Sequence, residues 1–138
     1  MMSGPDHRQL AYEFFQRVWA PPHDLDAIDE IMTQDYQITT GGRVIWGRQE
    51  FKTWVAKMQQ MISDATNEHL EVFTNTTGDR IVSRWTTRGA NNGIFGLPAD
   101  GRPISFTGIA IWRVENGRLA ECWVECGALE LYNHLRGS

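Results

Sequence analysis

Apolar side chains at Leu10, Phe14, Phe15, Val18 and Trp19 recur at helical spacing. Ser3 or Asp6 is available as a cap and the Pro21-Pro22 pair as a stop, so an amphipathic helix is expected first. A shorter helix follows, with Asp24 as N-cap and Leu25, Ile28, Ile31 and Met32 as its stripe, and the two make a helical hairpin. Tyr36, Ile38 and Thr40 then alternate at a period of two. Gly41-Gly42 turns the chain, and Val44, Ile45 and Trp46 supply a second short strand that Gly47 ends. From Arg48 the helical period returns, with Phe51, Trp54, Val55, Met58, Met61 and Ile62 on one face of a third and longest helix.

The remainder reads as four long strands, residues 68–76, 80–91, 103–115 and 118–126. Thr77-Gly78-Asp79, Ala99-Asp100-Gly101 and Glu115-Asn116-Gly117 supply the turns between them. A last short helix over 128–135 is expected to lay Leu129, Tyr132 and Leu135 on the sheet. Helices before strands indicate an α+β fold, with helices against one face of an antiparallel sheet. Twist, together with Gly89, Gly93 and Gly108, lets such a sheet curl around the third helix into a cone with a single pocket. Residues 1–138 are read as one domain without repeats, linkers or low-complexity tracts.

The 138 residues are 41% hydrophobic and 11% aromatic, enough for a real core. A net charge of −4 and a pI near 5.5 argue against nucleic acid or an anionic membrane as partner, because such a surface repels phosphate. Met1 and Met2 are followed by polar residues and no apolar run is long enough to span a bilayer, so a cytoplasmic protein is expected. Cys122 and Cys126 lie on one predicted strand, where roughly 13 Å would separate their Cα atoms, so they do not pair and read as small hydrophobes. His7, His23, His69 and His134 show no metal-binding spacing, and no metal site is expected. Phosphate-binding glycine loops and serine or cysteine nucleophile motifs are absent.

Within this frame the segment Gly78-Asp79-Arg80-Ile81-Val82, then Arg84-Trp85-Thr86-Thr87-Arg88-Gly89 to Gly93, resembles the SnoaL-like family of the nuclear transport factor 2-like superfamily. Gly96-Leu97-Pro98-Ala99-Asp100-Gly101-Arg102-Pro103-Ile104, Phe106-Thr107-Gly108-Ile109 and Gly117-Arg118-Leu119-Ala120-Glu121-Cys122-Trp123 are similar to that family's last strands. Tyr36 and Gly47-Arg48-Gln49-Glu50-Phe51 match its front half loosely. The resemblance implies a cone-shaped roll, a small apolar ligand, no metal or organic cofactor, and a homodimer through the outer face of the sheet. It also implies polyketide cyclisation by aldol condensation, with isomerases, dehydratases, epoxide hydrolases and pure binding proteins among the relatives. Where the cyclases carry an Asp base and an assisting His, this chain has Gly127 and Asn91.

Candidate chemistry then falls on other positions. Strand parity groups Glu121, Trp123, Glu125 and Gly127, and the resemblance makes that the pocket face, so Glu125 is the expected replacement base, its acidity weakened beside Trp123. Asn91 shares a face with Ser83, Trp85, Thr87 and Gly89 and is expected to donate a hydrogen bond to a forming enolate. Tyr12, Tyr36, Trp46, Trp54, Trp85, Thr87 and Trp123 are the expected cavity lining. Arg84 and Arg88 face the other way, toward salt bridges across a dimer interface. The leading expectation is an enzyme that abstracts a proton next to a carbonyl of an apolar, polyketide-like substrate. The alternatives are a non-catalytic small-ligand binder that lost the family pair and an epoxide-hydrolase-like relative.

Overall fold

The computed structural model of the chain describes residues 6–137, so the Ser3 alternative for the first cap lies outside the described residues. The N-cap position is His7, without a side-chain cap; Asp6, the other expected cap, stands one residue earlier, where its carboxylate accepts the Arg8 backbone N–H at 3.1 Å and pairs with the Arg8 guanidinium at 2.7 Å. The first helix, α1, runs Arg8–Phe14 and continues as a π turn over Phe15–Trp19, closed by the Ala20 N–H on the Phe15 carbonyl at 2.9 Å. Phe14, Phe15 and Val18 are all buried along this helix.

Helix α2 is a short Ala27–Ile31, and the expected cap Asp24 instead holds the preceding turn by accepting the Asp26 N–H at 3.2 Å. Ile28 and Ile31 are buried as expected, while Met32 already begins β1, Met32–Thr40. Gly41 and Gly42, at φ 58° and 80°, turn the chain into β2, Arg43–Trp46. Helix α3, Arg48–Met61, buries Phe51 and Val55 and is fastened to α2 by Arg48 and Lys52, whose cations lie 3.1 and 2.7 Å from the Asp29 carboxylate.

The strands β3, Ile62–Thr74; β4, Arg80–Asn91; β5, Pro103–Glu115; and β6, Arg118–Cys126, follow as successive antiparallel neighbours. Strand β3 starts at Ile62 and not at residue 68. Its first half, Ser63-Asp64-Ala65-Thr66-Asn67, is nearly all polar and so shows no apolar alternation in sequence, although its burial alternates; a register shift lies between Ser63 and Thr66, with Asp64 at φ 53°. The sheet order is β2-β1-β6-β5-β4-β3. The β1–β6 pair is parallel, so the sheet is mixed at one seam and antiparallel elsewhere. Helix α4, Ala128–Arg136, presents Leu131 and Leu135 to Ile62, Ile94 and Ile104. Leu129, expected inside, is 71% exposed because it falls outside that i, i+4 stripe.

The curved sheet stays open and holds α1, the π turn and α3 on its concave face, where the main core forms. Gly108 of β5 lies opposite Trp85 of β4, and any side chain there would overlap the indole. The absence of a side chain at this one position lets a tryptophan lie flat across the sheet.

Candidate functional site

Between the concave face and the helices lies a cavity of about 280 Å³. Phe14, Phe15 and Trp19 come from the first helix, Phe51, Trp54 and Met58 from α3, and Tyr36 and Ile38 from β1. The long strands add Trp85, Thr87, Phe106, Trp112, Cys122 and Val124. Of the expected lining, Tyr36, Trp54, Trp85 and Thr87 occupy the wall. The expected single pocket has a neighbour, an open cleft of about 610 Å³ between α4 and β5 bordered by Ile104, Thr107, Glu130 and Leu131.

Three expected lining residues are elsewhere. Tyr12 packs edge-on against the His69 ring, 5.0 Å between centroids, outside the cavity wall. Trp46 is 67% exposed on edge strand β2, in register with Gln37. Trp123 is 37% exposed on the convex face, in register with Thr39 and Ile111. The parity of β6 is thus opposite to the expected one: Ala120 and Cys122 are buried, and Cys122 and Val124 face the cavity. Both parities of this strand carry apolar residues, and its register shifts opposite Arg113/Val114, so alternation alone does not select a face.

This reversal moves Glu125. It pairs with Ile109 on the convex side, is exposed, and borders the cavity only at its mouth, so the apolar burial expected for a base beside Trp123 is absent. Asn91 is 2% exposed but does not line the cavity, and its amide is fully engaged. Nδ2 donates to the Pro98 carbonyl and the Asp100 carboxylate, and Oδ1 accepts the N–H groups of Gly93 and Ile94, all at 3.0 Å. It shapes the β4–β5 connection and has nothing left for an enolate. Arg84 and Arg88 face outward as expected, but their partners are within the chain, Glu71 at 3.4 Å and Glu68 at 3.7 Å.

Among the described residues, four buried polar groups on the wall have no protein partner. Tyr36 Oη, Asn67 Nδ2, Trp85 Nε1 and Trp112 Nε1 are buried without a protein hydrogen-bond partner, and all four residues line the cavity. Thr87 donates to Asn67 Oδ1 at 2.6 Å across the β3–β4 pair, which occupies the amide's acceptor end and leaves its donor end over. Burial pushes the Tyr36 phenol well above its ordinary range, with the neighbouring Cys122 thiol adding to the shift and the Trp112 indole N–H opposing it. Neither neighbour makes a well-formed hydrogen bond to Tyr36 Oη. Burial likewise raises Cys122, so phenol and thiol both stay protonated. An unsatisfied buried donor costs about 1–3 kcal/mol, a cost relieved when an acceptor comes within reach.

Sequence reasoning missed Asn67, Trp112 and His23. Asn67 sits inside the bulged half of β3, where no alternation signalled a strand. Trp112 shares its parity with Gly108 and Ala110, a pattern that was available. His23 borders the cavity mouth from the loop after the π turn, and nothing in Pro21-Pro22-His23 encodes which way that ring points. His69 Nδ1 lies 2.8 Å from Ser83 Oγ and its Nε2 has no protein partner, but the ring sits behind Phe15, off the wall. Among the described residues no group of three or more His, Cys, Asp or Glu is placed to hold a metal ion, and no helix is long and apolar enough to cross a membrane.

A profile of the SnoaL-like polyketide cyclase family matches residues 9–135. No curated protein matches the chain by sequence. Among solved structures, a proposed SnoaL-like polyketide cyclase from Jannaschia sp. CCS1 superposes with a TM-score of 0.87 at 16% identity, covering 96% of this chain and 95% of that one. TsrD from Streptomyces laurentii gives 0.82 at 24% identity, with 98% of each chain covered. A SnoaL-like polyketide cyclase from Agrobacterium tumefaciens gives 0.77 at 15% identity, covering 98% of this chain and 99% of that one. At these identities the superpositions establish the shared roll.

Proposed function

The chain belongs to the SnoaL-like polyketide cyclase family, and from that premise we propose that it is a cyclase- or isomerase-type enzyme taking a proton from carbon next to a carbonyl of a small, apolar, polyketide-like substrate. The observation that carries this reading is the set of four buried donors, Tyr36, Asn67, Trp85 and Trp112, on a cavity wall made mostly of aromatic and aliphatic side chains. Such a wall suits a ligand whose polar atoms are acceptors. When the C–H bond breaks, charge moves to the carbonyl oxygen, and fixed N–H and O–H dipoles in a dry site stabilise it more than they stabilise the ketone. Removing one such donor typically costs about 10²–10³ in rate. The aromatic wall excludes water that would otherwise quench the enolate.

The test is hydrogen–deuterium exchange at the C1 protons of 2-tetralone in D₂O, followed by proton NMR, with binding of the same ketone read from tryptophan fluorescence. Exchange faster than in buffer alone is expected. Binding with no acceleration would instead identify a non-catalytic small-ligand binder.

We further propose that the protein works as a homodimer in the cytoplasm. A row of residues in mutual register crosses the convex face of the whole sheet: Val44, Thr39, Trp123, Ile111, Val82 and Phe73. Val44, Trp123, Ile111 and Phe73 in this row are each more than a third exposed. The flanking Arg84 and Arg88 are already paired within the chain with Glu71 and Glu68, so these two cations need no new partner when two copies meet face to face. Free thiols at Cys122 and Cys126 fit a reducing compartment.

A further inference from the structure

We propose that His23, at the mouth of the cavity, is the catalytic base that takes the proton from the substrate carbon. The proposal rests on the proton-abstraction reading above and adds the residue that performs it. Five titratable side chains line the cavity: His23, Tyr36, Cys122, Glu125 and Cys126. Burial raises the phenol and both thiols, which therefore remain protonated and serve at most as donors. That leaves His23 and Glu125. Glu125 belongs to the outward parity of β6, opposite Ile109, whereas Cys122 and Val124 take the inward one.

The His23 ring is oriented by its Nδ1, which lies 3.2 Å from the Val18 carbonyl oxygen; that oxygen can only accept, so Nδ1 carries a hydrogen and Nε2 is the nitrogen left for the substrate. The same carbonyl accepts the Gln59 side-chain N–H at 2.7 Å, which ties the histidine loop to α3. The backbone of His23 sits at φ 60°, in the left-handed region that histidine enters more readily than most side chains, and its N–H is bonded to the Ala20 carbonyl at 2.9 Å, which fixes the loop from which the ring projects.

The step balances within the site. The C–H bond next to the carbonyl breaks, its proton goes to His23 Nε2, and its electron pair forms the enolate, whose oxygen is met by the wall donors. In a cyclisation the enolate carbon then forms a C–C bond to a second carbonyl carbon of the same molecule. The resulting alkoxide recovers the proton from the imidazolium, so nothing is oxidised or lost. With 2-tetralone, which has no second carbonyl, the deuterated imidazolium returns a deuteron to carbon and exchange is the observable.

His23→Asn keeps a residue that tolerates φ 60° but cannot act as a base, and His23→Gly removes the ring while fitting the same backbone. Both are compared with wild type in the 2-tetralone exchange assay, with ketone binding by tryptophan fluorescence and thermal midpoint as controls. The expected result is a loss of about 10²-fold or more in exchange for each variant, with binding within about twofold of wild type. Added imidazole is expected to restore at least tenfold to His23→Gly and nothing to His23→Asn. Wild-type exchange in His23→Asn, or a loss seen in Glu125→Gln with His23→Asn unimpaired, overturns His23 while leaving the proton-abstraction reading intact. A wild-type protein that binds 2-tetralone without exchanging it overturns both.

Discussion

Trp85, Trp112, Tyr36 and Asn67 share more than a place on the cavity wall: each keeps a buried donor that no neighbour in the protein uses. At the scale of single residues this separates them from Asn91, which is equally polar and equally buried but has every valence filled. His69 is a third kind, a ring buried for structural contact and held below its ordinary pKa by burial. Because its folded value lies under the unfolded one, the unfolded chain takes up the proton first as pH falls. The stability this group provides is complete above the ordinary histidine value of 6.5 and is lost as pH drops from there through the lowered folded value. Carboxylates with lowered pKa, such as Asp29, Asp79 and Asp100, lose theirs as pH falls below 3.8, under the interval between pH 7 and pH 5 in which the histidine loss begins. The unfolding midpoint of wild type should therefore fall more steeply between pH 7 and pH 5 than that of His69→Gln. Parallel curves for the two would show that burial of this ring is not coupled to its protonation.

At the scale of elements, helices were more legible than strand faces. The stripe Phe51, Trp54, Val55 and Met58 has one solution on a helix, and α3 forms as expected around it. A strand has only two faces, and local sequence does not say which is buried, which is why the pocket face of β6 came out reversed within the expected bounds and the polar start of β3 went unseen, while the bounds of β4 follow its sequence pattern. The β4–β5 connection shows how a polar residue can be structural. Asn91 joins Pro98 and Asp100 to Gly93 and Ile94 through one side chain. Asn91→Ala should destabilise the protein by about 2–4 kcal/mol, since it strands several buried groups at once. Urea denaturation measures this, and a change under 1 kcal/mol would mean that the connection is held by its backbone bonds alone.

At the scale of the whole molecule, the two faces of one sheet divide the work, the concave face forming the cavity and the convex face presenting Trp123, Ile111 and Phe73. Wild type should sediment at twice the 15.8 kDa chain mass, and a Trp123→Glu, Ile111→Glu double variant as a monomer. A wild-type monomer at micromolar concentration would leave the convex row without its proposed partner. By itself the sequence determined the element order, the α+β class and the aromatic, weakly polar character of the cavity, because periodicity, turn chemistry and composition are properties of neighbouring residues, and its strand motifs carried the resemblance to the family. Only the tertiary structure decided that β1 and β6 meet in parallel, that Glu125 and Trp123 turn outward, and that His23 and Asn67 reach the cavity. Those outcomes depend on register, on bulges and on loop closure between segments distant in the chain. Short-range patterns carry no record of them, because the energy that selects them comes from packing that exists only once the sheet has curled around its helices.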